Sequence, residues 1–217
     1  THNTFPAREL FDEIAKAGWN CADPGVQFDS TINRFHTCIQ TDRIRGSNPC
    51  SEYMFLDDSA CNLASVNLIK FLDEASGQFD VEAYRHACRI MFIGQEILVG
   101  LSSYPTALIA KNSYDYRPLG LGYANLGTLL MVNGVPYDSE AGRSWCGAVT
   151  AILHGVAYET SADLARVKGA FAGYKKNEDA MLNVMRLHQQ SVKNIAAGCP
   201  EYMLSAAGEA MARAISL

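Results

Sequence analysis

The sequence predicts a helix-rich α/β fold with too few strands to complete a sheet. Three observations carry this. From Asp80 onward, apolar residues recur at helical spacing through most of the chain. Only short apolar runs, at Tyr53–Leu56, just after Cys61 and at Leu119–Gly122, suit strands. Hydrophobic residues make up 48% of the 217 residues and charged ones 19%, enough apolar surface for a core and too little charge for disorder.

The elements follow in order. Pro6 to Trp19 reads as a helix, with Leu10, Phe11, Ile14 and Ala15 on one face and Pro6 suited to the first turn. Asn20 to Gly25 is turn chemistry. From Val26 to Cys61 the helical period is absent. Arg45 to Cys50 reads as a loop, Tyr53–Leu56 as a buried strand and Asp57–Ser59 as a turn. Cys61 to Phe71 reads as a strand entering a short helix. Asp80 is placed to cap a strong helix whose face runs through Val81, Tyr84, Ala87, Cys88, Met91, Phe92 and Gln95–Val99. Pro105 and the span Asn112–Pro118 mark loops. Leu119–Gly122 leads into a helix over Tyr123–Val132. The longest helix is expected from Ser139 to Val167, with Trp145, Val149, Ile152, Leu153, Val156 and Leu164 as its stripe. Gly169–Tyr174 breaks it, and two further helices follow near Asn177–Asn194 and Glu201–Ile215.

Composition narrows the function classes. The net charge of −5 provides no basic stripe for phosphate backbones, so nucleic acid is a poor partner. No apolar run reaches the roughly 20 residues of a membrane helix. The seven cysteines are widely spaced without a CxxC pair, which argues against a structural zinc site. No secretory signal is recognisable, so a reducing cytoplasm with free thiols is expected. The sequence begins at Thr1 rather than Met, which agrees with a fragment, a processed chain or a trimmed form.

The most informative stretch is Gly46-Ser47-Asn48-Pro49-Cys50-Ser51-Glu52. On an extended backbone, side chains alternate with period 2, so Asn48, Cys50 and Glu52 share one side. An amide, a thiol and a carboxylate then converge, and Pro49 biases Asn48 away from helix. These are also ordinary loop residues, so spacing alone leaves open an incidental cysteine in a polar loop.

Asn48-Pro49-Cys50-Ser51-Glu52 resembles the Asn-x-Cys-x-Glu finger loop of ribonucleotide reductases. The blocks Tyr53–Leu68 and Arg117–Gly127 are similar to those of the adenosylcobalamin-dependent (class II) enzymes. Ala22–Phe28 and Gly173–Asn177 agree in order, so the resemblance spans nearly the whole chain. It implies part of a ten-stranded α/β barrel with the finger loop at its centre, as one partial catalytic domain over residues 1–217. It implies ribonucleotide reduction with adenosylcobalamin as the radical source. Cys50 would be the thiyl that abstracts the substrate 3′-hydrogen, Glu52 the general base on the 3′-hydroxyl, and Asn48 a hydrogen-bonding group to the substrate hydroxyls. Cys61, eleven positions after Cys50, matches the reductant cysteine.

The family's second reductant cysteine and effector site lie upstream of the loop, and Cys21 and Cys38 do not substitute for that cysteine. A phosphate-cradling loop of Pro-Thr-Gly-Thr-Ile type is expected soon after Leu217, followed by a C-terminal cysteine pair. The chain is therefore expected to be an internal piece that turns over no nucleotide alone. Its expected partners are a ribonucleotide, the remaining segments of the reductase and a thioredoxin-like or dithiol reductant, and a homodimer is compatible with the resemblance. A barrel piece exposes strand edges and apolar surface, so aggregation or dependence on the missing segments is expected.

Other readings compete. Gly120, Gly122 and Gly127 fit neither GxGxxG nor a P-loop and read as packing at a strand–helix junction. His36, His86, His154 and His188 are candidate partners for a thiol hydrolase, each far in sequence from Cys50. Lys175-Lys176 reads as a solvated pair that could also steer a phosphate-bearing substrate. Trp145 reads as core. The alternative from another class is a non-catalytic scaffold that retains an ancestral sequence.

Overall fold

The computed structural model describes residues 3–216. Eight helices and two strands occur among them: α1 Ala7–Cys21, α2 Asp29–Arg34, β1 Asn62–Asn67, α3 Val81–Leu101, α4 Ala107–Tyr116, β2 Leu119–Ala124, α5 Leu126–Val132, α6 Glu140–Lys168, α7 Tyr174–Val192 and α8 Glu201–Ser216. A single 3-10 turn, Leu68–Phe71, follows β1, as the strand-then-helix reading expected. No helix among these residues is long and apolar enough to cross a membrane.

The strands pair in parallel, with Asn62 opposite Leu119 and Asn67 opposite Ala124. A parallel pair needs a long crossover, which here carries α3 and α4. Helix α3 lies on this sheet and on α6, and α6 packs most extensively on α8. The core gathers Leu68, Phe79, Tyr84, Leu129, Trp145, Ile152, Met203 and Met211. Phe71, Phe79 and Tyr84 form an edge-packed aromatic trio with centroids 5.4–6.0 Å apart.

Helix ends follow their capping chemistry. Asp80 Oδ1 accepts from Ala83 N at 2.9 Å and Ser139 Oγ from Gly142 N at 3.0 Å, fixing the starts of α3 and α6 where the sequence put them. Helix α6 stops at Gly169, whose φ is +85°.

Four expectations change. Helix α4 occupies part of the span read as loop: Thr106 caps it at Ile109 N, and it ends at Arg117, in the left-handed region before Pro118. Helix α2 is short, buries no residue and is tied to the following segment through its own Asn33, whose Oδ1 accepts from Ile44 N at 3.0 Å and whose Nδ2 donates to Ile44 O at 3.1 Å. Tyr53–Leu56 is irregular, because Phe55 packs edge-on to His36 and Tyr116 instead of joining a ladder. The strand at 119 continues to Ala124, so α5 starts at Leu126 rather than Tyr123.

Helix α1 keeps its apolar periodicity yet buries none of its residues, and Trp19 is 91% exposed. Leu63 on β1 is also largely exposed. The two-stranded sheet is helix-rich α/β architecture; ten strands are not present in these residues.

Candidate active site

The segment carrying Asn48, Cys50, Glu52 and Cys61 is hung between two anchors. The first is Asn177 on α7, fully buried: its Oδ1 accepts from Gln40 N at 3.0 Å, and its Nδ2 donates to Thr41 Oγ1 at 2.8 Å. Tyr116 OH also donates to Thr41 Oγ1 at 3.0 Å. Gly173 lies under the Tyr116 ring so closely that a Cβ there would sit 2.1 Å from it. The second anchor is α4, where Ser113 Oγ accepts from Ala60 N at 2.9 Å and Asn112 Nδ2 donates to Asp57 O at 3.3 Å. The Gly173–Asn177 block thus serves to seat the segment that bears the thiols.

Between the anchors the chain turns sharply. Ser51 N donates to Asn48 O at 3.0 Å, closing a turn with Pro49 at its second position, which its fixed φ favours. Ser51 has φ +63°. The period-2 geometry of an extended finger is therefore replaced by a turn at Asn48–Ser51. Asn48 Oδ1 accepts from Tyr53 N at 3.0 Å, which leaves its Nδ2 as the end suited to donate to a ligand. Gln27 Nε2 donates to Ser47 Oγ, and Ser47 Oγ to Asn48 O at 2.8 Å, bracing the turn from the α1–α2 connection. A cavity of about 220 Å³ lies against Ser51, lined by Val26, Phe28, Ile32 and Met54.

Cys50 and Glu52 are exposed. Cys61 is half-buried, and burial, with the Glu52 charge as second cause, pushes its thiol up to about 11. Glu52 is thus near enough to act on Cys61 electrostatically. Tyr53 is pushed up to about 12 by burial, eased by its 2.6 Å bond to Ser59 Oγ and raised further by Cys61. A neutral thiol of this kind keeps its hydrogen, which suits hydrogen and electron transfer rather than nucleophilic attack.

Cys61 packs against β2: a Cβ on Gly120 would lie 2.7 Å from its Sγ. Gly120 thus has a packing role, but against the neighbouring strand's entrance rather than at a strand–helix junction, and nothing lies within 4 Å of a Cβ added at Gly127. Sequence reasoning gave no role to Gln95, a polar residue inside the apolar stripe of α3, 2% exposed. Its Nε2 donates to Asn62 O at 3.1 Å and to Gly120 O at 2.9 Å. The only sequence signal was an amide at a core-facing helical position.

The other candidates separate from this site. His154 Nε2 and His188 Nδ1 meet at 2.9 Å beside a cavity of about 420 Å³ between α6 and α7. Among the described residues no hydrogen bond joins a cysteine Sγ to an imidazole, and burial pushes Cys38 up to about 11 and Cys88 up to about 12. The thiol–imidazole dyad of a thiol hydrolase is thus not formed among the described residues, and the buried thiols Cys38 and Cys88 are raised rather than lowered. Lys175 is exposed and pairs with Glu178 at 2.7 Å, and Trp145 is buried.

Comparison with known proteins identifies the family. The family described as ribonucleotide reductase, barrel domain, matches residues 1–204. The vitamin B12-dependent ribonucleotide reductase of Rhodopirellula baltica is 54% identical over 206 residues, which cover 95% of this chain and 20% of that protein. Its counterpart in Bradyrhizobium diazoefficiens is 53% identical over 188 residues, 87% of this chain and 15% of that protein. A vitamin B12-dependent ribonucleoside-diphosphate reductase of Mycobacterium tuberculosis is 34% identical over 170 residues, 78% of this chain and 24% of that protein. The chain thus spans about a fifth of the first of these relatives and less of the second. With the family matched over nearly its whole length, this chain belongs to the ribonucleotide reductase barrel-domain family.

Proposed function

We propose that the chain is an internal catalytic segment of an adenosylcobalamin-dependent ribonucleotide reductase, with β1 and β2 as two parallel strands of its ten-stranded barrel. The observation that carries this is the turn at Asn48–Ser51, which leaves Cys50 and Glu52 exposed and Asn48 Nδ2 free to donate, on the same segment as the half-buried Cys61. The names of the relatives support the reaction and the cofactor.

The net reaction joins two thiols as a disulfide, removes the ribose 2′-hydroxyl as water and leaves a deoxyribonucleotide. In it, Cys50 as a thiyl takes the 3′-hydrogen, a transfer that the similar strengths of S–H and activated C–H bonds make reversible. Glu52 takes the 3′-hydroxyl proton as the 2′-hydroxyl leaves. Asn48 Nδ2 donates to a ribose hydroxyl, since its Oδ1 is held by Tyr53 N. Cys61 and a second cysteine elsewhere in the enzyme each give up one proton and one electron and join as a disulfide, so that one hydrogen leaves with the 2′-hydroxyl as water and one ends on C2′; a thioredoxin-like or dithiol reductant then restores the two thiols. Cobalamin, when bound, supplies the radical equivalent. No residue of this chain is assigned to the corrin. Cys50 is exposed here, and in the whole enzyme the remaining segments would cover it and exclude water.

The test is reconstitution with the flanking segments, adenosylcobalamin, a dithiol and a ribonucleotide, reading deoxynucleotide formed. Turnover is expected and Cys50→Ser should abolish it. Undiminished turnover with Cys50→Ser would favour the scaffold reading over the catalytic one.

A further inference from the structure

We infer that Gln95 is a positioning residue for the Cys61 thiol, acting through a reciprocal amide clamp that fixes the entrance of the β1–β2 pair against α3. This rests on the reading of Cys61 as the reductant thiol.

The clamp has four members. Gln95 Nε2 spends both hydrogens on main-chain carbonyls of the two strands, Asn62 O at 3.1 Å and Gly120 O at 2.9 Å. In return, Asn62 Nδ2 donates to the Gln95 main-chain O at 3.1 Å. The helix thus holds the first residue of β1, and that residue holds the helix. Cys61 directly precedes Asn62, and its Sγ donates to the same Asn62 O, at 3.5 Å. Gly120, the other residue gripped by Gln95, forms the wall of the thiol's seat. Both boundaries of that seat are therefore tied to one side chain.

The clamp is not what stability alone would select. Gln95 Oε1 and Asn62 Oδ1 are buried without a hydrogen-bond partner. An unpaired buried acceptor is costly, and an aliphatic residue at 95 would fill the space without that cost. The amide is worth its cost where a fixed distance between the two strand entrances is needed. Thiol chemistry has such a need, because disulfide formation accepts only a narrow range of sulfur positions.

The test is thiol reactivity in the 217-residue chain. Cys61 is half-buried, and that burial is the main reason its thiol titrates high. Gln95→Met keeps the volume but removes both donors, so Asn62 O and Gly120 O are no longer held together, the two strand entrances can shift, and the seat admits water. The pH midpoint of Cys61 alkylation by iodoacetamide, read by peptide mass spectrometry, should then fall by about one unit, a roughly tenfold faster reaction at pH 8. Cys199 is the internal reference, since it sits in the loop before α8 and its backbone N donates to Ser144 Oγ at 3.1 Å. Its rate should stay unchanged. Gln95→Asn, which keeps an amide NH2 donor on a side chain one methylene shorter, should recover part of the shift and serves as the readout if Gln95→Met does not fold. An unmoved Cys61 midpoint in a folded variant, or equal acceleration of Cys199, overturns the proposal. Alkylation reads the seat whatever Cys61 does in catalysis. Undiminished reductase turnover with Cys61→Ser would instead remove the reductant role and leave the clamp standing.

Discussion

Gly120 on β2 forms the floor beneath the thiol of Cys61: a methyl group at 120 would stand 2.7 Å from Sγ and 2.4 Å from the Leu63 side chain. The Leu63 methyl can rotate away and the sulfur can turn only about χ1, while Asn62 O, 3.2 Å from the added methyl, is main chain and has no rotamer to relieve it. Gly120→Ala should therefore displace Cys61 at a cost of about 1–3 kcal/mol in urea denaturation of the chain, the usual range for overpacking. In the reconstituted reductase the same change should lower turnover well beyond its effect on substrate KM, because the reductant moves while the substrate-facing turn does not.

Glu52 raises the titration of Cys61, as the second cause after burial. Removing its charge must therefore act in the opposite direction. Glu52→Gln should lower the pH midpoint of Cys61 alkylation from about 11 while leaving burial to hold it above the ordinary thiol value. A midpoint that rose, or stayed fixed, would show that the carboxylate does not face the thiol.

Much of this layout was legible in the chain. Asp80 and Ser139 announced helix starts because a capping side chain needs only its own neighbours three residues on. Helices α3 and α6 showed their stripes because each buries one face. What was misread depends on distant partners. The apolar run Tyr53–Leu56 serves an aromatic cluster with His36 and Tyr116, which spacing cannot distinguish from a strand. Helix α2 leans on Ile44 through Asn33, and helix α4 was hidden by polar residues although Pro105-Thr106 carried its start signal. At the site, the residue types at 48, 50 and 52 were readable, but the same Pro49 that suggested extension also suits the second position of a turn, and the turn is what forms. Gln95 was placed on the face of its helix but given no role, because that role exists only once two strand entrances meet.

His154 gives the fold an acid-sensitive point away from the thiols. Burial, then the His188 charge, lowers it to about 4 from an ordinary 6.5. A depressed imidazole stays neutral in the folded chain while the unfolded chain takes up a proton. Its contribution is therefore complete above pH 6.5 and is lost as pH falls towards 4. By linkage, the chain should lose about 2 kcal/mol of stability between pH 7 and pH 5 from this group. His154→Gln should flatten that slope in urea melts at the two pH values. A slope identical to the parent would place the imidazole in water rather than in the α6–α7 contact.

The closest approach of two helices offers the sharpest test of the core, because two effects of opposite sign compete there. A Cβ on Gly155 of α6 would stand 2.5 Å from the carbonyl carbon of Ala210 on α8 and 2.7 Å from its oxygen. Helix propensity alone would make Gly155→Ala favourable by about 1 kcal/mol. The obstacle is main chain, so no rotamer relieves it and the helices must separate across Ile152, Ala207 and Met211. The clash should win, giving a net loss of about 1–3 kcal/mol by denaturant titration. Gly94 on the exposed side of α3 is the matched control, since nothing lies within 4 Å of its added Cβ. Gly94→Ala should stabilise the chain by up to about 1 kcal/mol, as propensity predicts. If both substitutions stabilise, α6 and α8 do not meet as closely as described, and the packing that seats the His154–His188 pair and the core around Ile152 must be redrawn.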